Sequence, residues 1–122
     1  MVTVTCTRCS TPKPETEFHR NASKPAGRES ECRACTTDRK LLARYGITRE
    51  QYDQMYADQD GRCLICLTPE DAGRRMAVDH CHGGDGRVRA LLCSNCNTAL
   101  GLFKDDPHLM IRAARYVRTA AA

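Results

Sequence analysis

Residues 75–102 read RMAVDHCHGGDGRVRALLCSNCNTALGL, and the fold turns on how this stretch is parsed. Residues 76–79 make a short strand candidate that ends on Asp79, with His80 and His82 directly after it. Gly83, Gly84, Asp85 and Gly86 supply a turn. Residues 87–92 then alternate, with Val88, Ala90 and Leu92 on one face and Arg87 and Arg89 on the other. A Cys-x-x-Cys pair follows at Cys93 and Cys96, and Asn97 opens a helix over 97–103. The parse is strand, turn, strand, helix, with a carboxylate, two imidazoles and an amide on neighbouring elements. In a regular strand Asp79 and His80 face opposite ways. Both serve one site only if the strand breaks at His80, and the glycines after His82 make that break available.

Working outward, eight of the nine cysteines fall into four Cys-x-x-Cys pairs: Cys6/Cys9, Cys32/Cys35, Cys63/Cys66 and Cys93/Cys96. The first two pairs are separated by 22 residues and the last two by 26, so each interval can close locally on one tetrahedral ion. Disulfides are the competing reading. The N-terminal MVTVTCTRCS has no apolar core of a leader and no stretch approaches membrane-spanning length, so a reducing cytoplasm and zinc are expected. Four thiolates leave zinc no open position, which makes both sites structural. Cys81 is the odd thiol, read as a small packed residue rather than a nucleophile.

Composition supports the need for such crosslinks. With 122 residues, two Phe, four Tyr and no Trp, the aromatic material for a core is thin. The formal charge of +4 invites a nucleic-acid reading. Eight thiolate ligands and two Zn²⁺ ions together cancel it, so only the local placement of Arg and Lys speaks for a polyanionic partner.

Elsewhere the signals are local. Pro12, Pro14, Pro25 and Gly27 favour turns between the first two knuckles, and Phe18 is the one large apolar residue there to pack beside the metal. His19 reads as a surface group. Residues 36–45 look helical, with Gly46 as the stop, and Thr48 to Gln51 form a capping box for a second helix. Tyr52, Met55 and Tyr56 give that helix an apolar face. Pro107 opens a last helix with Leu109, Met110, Ala113, Tyr116 and Val117 as its stripe, and the tail from Thr119 is expected to fray.

The chemistry sits at Asp79, His80, His82 and Asn97. Asp79 and Asn97 offer the oxygen ligands that Mg²⁺ or another hard cation prefers. An imidazole is partly neutral near pH 7 and can take a proton from water. His82 is open to several roles: holding a phosphate, completing the metal shell or assisting proton transfer. The bland readings are a chance Asp-His-x-His string, or His82 or Cys81 as an alternate zinc ligand. Arg74, Arg75, Arg87 and Arg89 flank the string and are read either as phosphate grips or as an ordinary solvated face.

The run from Tyr45-Gly-Ile-Thr to Leu102-Phe103, with CLIC, VDHCH, GRVRALLCSNCN and ALGLF, closely resembles the phage recombination endonuclease VII family of His-Asn-His, or ββα-metal, nucleases. The resemblance implies Mg²⁺ on Asp79 and Asn97, His80 as general base, His82 as a further catalytic histidine, and structural zinc on Cys63, Cys66, Cys93 and Cys96. It implies a DNA substrate, branched DNA such as Holliday junctions, and a homodimer inside the cell of a phage or prophage host. Ala77 stands where some members carry another histidine, and Asp105 and Asp106 are the candidates for the family's acid beyond the asparagine helix. The expected architecture is a small α+β, zinc-stabilised chain. It comprises a zinc ribbon over 1–38 (on Cys6, Cys9, Cys32 and Cys35), a helical linker over 39–60, and a ββα-metal nuclease domain with its C-terminal helix over 61–118. The expected function is a Mg²⁺-dependent DNA endonuclease. The alternative is a non-catalytic zinc-ribbon DNA-binding or adaptor protein.

Overall fold

The computed structural model describes residues 2–71, 73–82 and 85–121. The chain divides into two compact units, Met1–Gln51 and Tyr52–Ala122. The elements expected from the sequence are present as a small α+β fold.

In the first unit, β1 (Thr3–Thr5) and β2 (Pro12–Pro14) pair antiparallel, with Thr3 opposite Pro14 and Thr5 opposite Pro12. A two-stranded ribbon tolerates two prolines because its outer edges need no donor. The Cys6 knuckle lies between these strands. A helix, α1 (Arg33–Tyr45), begins three residues before the expected Thr36, because the knuckle itself starts it: Cys32 is the N-cap in extended geometry. Gly46 ends α1 in the left-handed region at φ 68°, its N–H donating to Leu42 O, a conformation that a residue without Cβ adopts at little cost. Phe18 is fully buried in one cluster with Cys6, Cys32 and Cys35, with Val4 and Ala34 packed against it. His19 is exposed, its Nδ1 3.0 Å from Arg33 Nη1.

The capping box forms as read. Gln51 N–H donates to Thr48 Oγ1 at 3.2 Å and Thr48 N–H donates to Gln51 Oε1 at 2.8 Å, opening α2 (Arg49–Asp58). Arg49, its first residue, is paired with Asp38 of α1 at 2.7 Å.

In the second unit, Tyr52 is buried and donates its hydroxyl to Met76 O at 2.9 Å. Two strands, β3 (Ala77–His80) and β4 (Val88–Leu92), pair antiparallel: Ala77 with Leu92, Val78 with Leu91 and Asp79 with Ala90. Then α3 (Ser94–Leu102) follows and packs against both strands. It starts before the expected Asn97 because Cys93 is its N-cap, the Cys93 sulfur accepting Cys96 N–H. The last helix is α4 (Pro107–Ala121), continuous past Thr119 where fraying was expected. Its apolar stripe is not a core face: Tyr116 and Val117 are 74% and 62% exposed. The turn expected at Gly83 and Gly84 lies outside the described residues.

Strand β4 departs from the expected alternation. Ala90, Leu91 and Leu92 are all buried, and a side chain closes the strand's outer edge. Gln59 Nε2 donates to Leu91 O at 2.9 Å while Leu91 N–H donates to Gln59 Oε1 at 2.9 Å, so one amide substitutes for a neighbouring strand. Burial of Leu91 contributes about 1.5–3 kcal/mol, and it depends on that pairing to satisfy the strand's outer edge. Replacing Gln59 by Ala strands the Leu91 N–H, while Leu91 O keeps the Leu64 N–H at 3.3 Å, and is expected to cost about 1–3 kcal/mol in chemical denaturation. Gln54→Ala, exposed on α2 just before Gln59, should stay within about 0.5 kcal/mol; equal losses at both positions would contradict the edge role of Gln59.

Candidate functional site

The cysteines assemble as two separate clusters, one in each unit: Cys6, Cys9, Cys32 and Cys35, and Cys63, Cys66, Cys93 and Cys96, with all ligand atoms of each within 4.8 Å of one another. Tetrahedral Zn–S bonds require sulfurs about 3.8 Å apart. Cys6 and Cys35 are 3.9 Å apart and Cys66 and Cys93 are 3.8 Å apart, so the clusters fit structural zinc. Amide donors favour the thiolate form. The N–H groups of Cys9, Cys32 and Arg8 point at Cys6 Sγ and lower its pKa to about 6. Thr68, through hydroxyl and amide, does the same for Cys66. Burial and neighbouring thiols push Cys35 and Cys96 up to about 12. Four thiolates coexist only around a cation that offsets their mutual repulsion. Lys13 Nζ, 3.2 Å from Cys32 Sγ, adds positive charge to the first cluster. Neither Cys81 nor His82 belongs to either cluster.

The ββ pair carries the break that a common site for Asp79 and His80 requires. After Asp79 pairs with Ala90, His80 pairs with Val88, so Arg89 has no partner across the ladder. A bulge of this kind interrupts the two-residue alternation and re-aims the side chains beside it. Asp79 is 4% exposed and His80 is half-buried. The His82 ring lies 4.6 Å from the His80 ring, tilted by 52°. Asn97 is half-buried in the first turn of α3, the helix that packs against β3 and β4.

Arg89 is the residue the sequence reading misjudged. Its guanidinium, still partly exposed, is engaged by two carboxylates. Nε and Nη2 donate to the Asp79 carboxylate at 2.6 and 3.1 Å, and Nη1 and Nη2 donate to the Asp105 carboxylate at 3.0 and 2.9 Å. Alternation put Arg89 on an outer face, and the bulge returns it to Asp79. Asp105 follows α3 on a turn where Lys104 and Asp105 both have positive φ, 56° and 55°. That conformation costs a residue with a side chain roughly 1–2 kcal/mol. The paired carboxylates raise the Arg89 pKa, and Arg89 in turn holds the Asp105 carboxyl below its ordinary range.

The other arginines are differently placed. Arg75 stacks over the Tyr52 ring at 4.3 Å. Together with Arg74 it lines a cavity of about 660 Å³ beside Cys66, Cys93 and Cys96, which includes none of Asp79, His80 and Asn97. His82 lines a smaller depression of about 200 Å³ with Gly101, Lys104 and Asp105.

The donor set is compatible with a hard cation. Asp79 is a buried carboxylate whose two oxygens each accept one Arg89 N–H among the described contacts, and the Asn97 amide oxygen is the other hard donor that a cation there would take. Among the described residues, the groups of three or more His, Cys, Asp and Glu that could hold a metal are the two cysteine clusters. Asn97 and water would therefore have to complete a shell built on Asp79.

The model of the recombination endonuclease VII family matches residues 38–119. The chain belongs to that family. It is 43% identical over 84 residues to the Gene 59 protein of Mycobacterium phage D29, an overlap covering 68% of this chain and 50% of that protein. It is 43% identical over 79 residues to the Gene 59 protein of Mycobacterium phage L5, covering 64% and 48%. The chain thus spans about half the length of the curated relatives it matches. Among solved structures it is similar to the ββα-Me type II restriction endonuclease Hpy99I, with a TM-score of 0.44 and 25% identity, covering 97% of this chain and 66% of that one. Among the described residues no helix is long and apolar enough to cross a membrane.

Metal analysis is expected to return two zinc ions per chain, and Cys35→Ser to lower that to one while unfolding the first unit; one ion or none in the wild type would contradict the two-site layout. The Arg89–Asp105 pair has a defined pH signature. Because the folded Asp105 pKa is depressed, its stabilisation is present above the unfolded value of about 3.9 and is lost as pH falls through the lower folded value. Wild type should therefore exceed Asp105→Asn in stability at neutral pH, with the gap closing below about pH 4.

Proposed function

We propose that this chain is a divalent-cation-dependent DNA endonuclease that hydrolyses phosphodiester bonds. The observation that carries the reading is the bulge between a buried Asp79 and His80, on a ββ pair against the helix that bears Asn97, in a chain of the endonuclease VII family. Asp79 and Asn97 hold the cation. When bound, it supplies Lewis-acid charge at the scissile phosphate. His80 takes the proton of the attacking water as the new P–O bond forms and the bond to the leaving oxygen breaks. His82, beside the His80 ring, contacts the phosphate or relays that proton. Branched DNA, four-way junctions included, is the proposed substrate class, cut by a homodimer so that both strands are severed. The exposed Tyr116 and Val117 on α4 are consistent with a face that a second copy covers.

A second reading draws on Arg89, which engages both oxygens of Asp79. In that reading the ion pair is structural and the chain is a non-catalytic zinc-ribbon DNA-binding or adaptor protein. Nicking of supercoiled plasmid and of a four-way junction, with Mg²⁺ and with EDTA, separates the two. Cutting with Mg²⁺ alone is expected, and His80→Ala should lower the rate by about 10²–10⁴-fold with zinc content and DNA binding unchanged. Full activity in that variant would remove His80 from its role, and no cutting by the wild type on either substrate would favour the adaptor.

A further inference from the structure

The position of Arg89 between two carboxylates raises a question of affinity. A guanidinium has five N–H donors in a planar fork, and here one edge meets Asp79 and the end meets Asp105, with Nη2 shared between them. Asp79 is buried and its side chain 6% exposed, whereas the Asp105 side chain is 19% exposed at the end of α3. Two consecutive residues in left-handed backbone, Lys104 and Asp105, bring the second carboxylate to the guanidinium. Backbone hydrogen bonds hold that turn, Lys104 N–H to Gly101 O at 2.9 Å and Asp105 N–H to Leu100 O at 2.8 Å, and the Arg89 fork is the side-chain contact it presents Asp105 to.

We propose that Asp105 is a positioning residue: by holding one end of the Arg89 guanidinium it sets how tightly Asp79 takes a divalent cation. The proposal rests on Asp79 being a cation ligand. A cation on Asp79 meets the positive charge of Arg89 across a shared carboxylate, at a distance where charges still interact strongly inside a protein. Asp105 offsets that charge and fixes the fork, so that each Asp79 oxygen accepts a single N–H and keeps a lone pair for the metal. Without Asp105 the guanidinium has, among the described residues, Asp79 as its sole carboxylate partner and competes fully with the cation. Without the arginine charge, the cation meets no rival. Loss of Asp105 and loss of Arg89 should therefore shift cation affinity in opposite directions, and the effect of Asp105 should vanish when Arg89 is absent.

The test is Mn²⁺ binding to the zinc-loaded full chain, free of DNA, measured by electron paramagnetic resonance titration. Asp105→Asn should weaken Mn²⁺ binding about tenfold and Arg89→Gln should strengthen it about tenfold. In the Arg89→Gln background, adding Asp105→Asn should change nothing further. Arg89→Lys, which keeps the charge but lacks the planar fork, runs the same cycle if the glutamine variant does not fold, and should likewise cut the Asp105→Asn effect. Asp79→Ala should abolish the site. Retained wild-type affinity in Asp79→Ala overturns the ligand reading and the proposal with it. Loss in Asp79→Ala combined with wild-type affinity in Asp105→Asn overturns the proposal alone. So does an equal weakening by Asp105→Asn with and without Arg89, the signature of a direct charge effect.

Discussion

Four thiols, on Cys63, Cys66, Cys93 and Cys96, converge within 4.8 Å, and the second unit depends on that convergence. Cys93 is both the residue after β4 and the N-cap of α3. Holding its sulfur beside Cys66 therefore fixes the direction in which the chain leaves the strand and enters the helix. A unit with few large apolar residues has little else to fix it. Among its described residues Leu91 is the largest fully buried side chain, and even Leu91 relies on the Gln59 amide to cap its strand's edge. The zinc clamp thus substitutes for the area that a larger core would bury. The clamp itself, with every ligand a thiolate, has no part in chemistry.

What the clamp leaves free is the far end of the ββ pair. There the bulge changes the ladder from Asp79–Ala90 to His80–Val88, and one extra residue on β4 has two effects. The alternation that would send Asp79 and His80 to opposite faces is broken. Arg89, unpaired in the ladder, turns to the buried carboxylate. A charge as buried as that of Asp79 needs a partner, and an arginine fork supplies two hydrogen bonds as well as a charge. The same partner competes with any cation that Asp79 would bind, so the structural need and the proposed catalytic one draw on the same two oxygens.

The parts legible in the sequence are those whose cause is local. The Thr48–Gln51 box, the Gly46 stop and the four Cys-x-x-Cys pairs each act over a few residues, and each forms as read. The helices open at Arg33 and Ser94, earlier than the sequence pattern implies, because a knuckle cysteine doubles as an N-cap and carries no sequence mark of that second use. Gln59 looks like a surface residue at the end of a helix. Its partner, Leu91, is 32 residues away, and no periodicity connects them. The need for a break near His80 could be read from the opposite facing of neighbours in a strand. That the extra residue would be Arg89 could not, since it depends on the register between two strands. Asp105 was visible only as one of two adjacent acids, and its selection depends on a left-handed turn that its sequence, Lys104-Asp105 without glycine, does not announce.

The proposed cation sits between Asp79 and Asn97 beside His80, apart from the zinc. Anomalous diffraction from crystals of the zinc-loaded chain soaked in Mn²⁺, recorded on either side of the manganese edge, tests it directly. A manganese peak bonded to an Asp79 carboxylate oxygen and to the Asn97 amide oxygen is expected. A peak at other residues, or Asp79 still bound by Arg89 alone with Asn97 turned away, would contradict it.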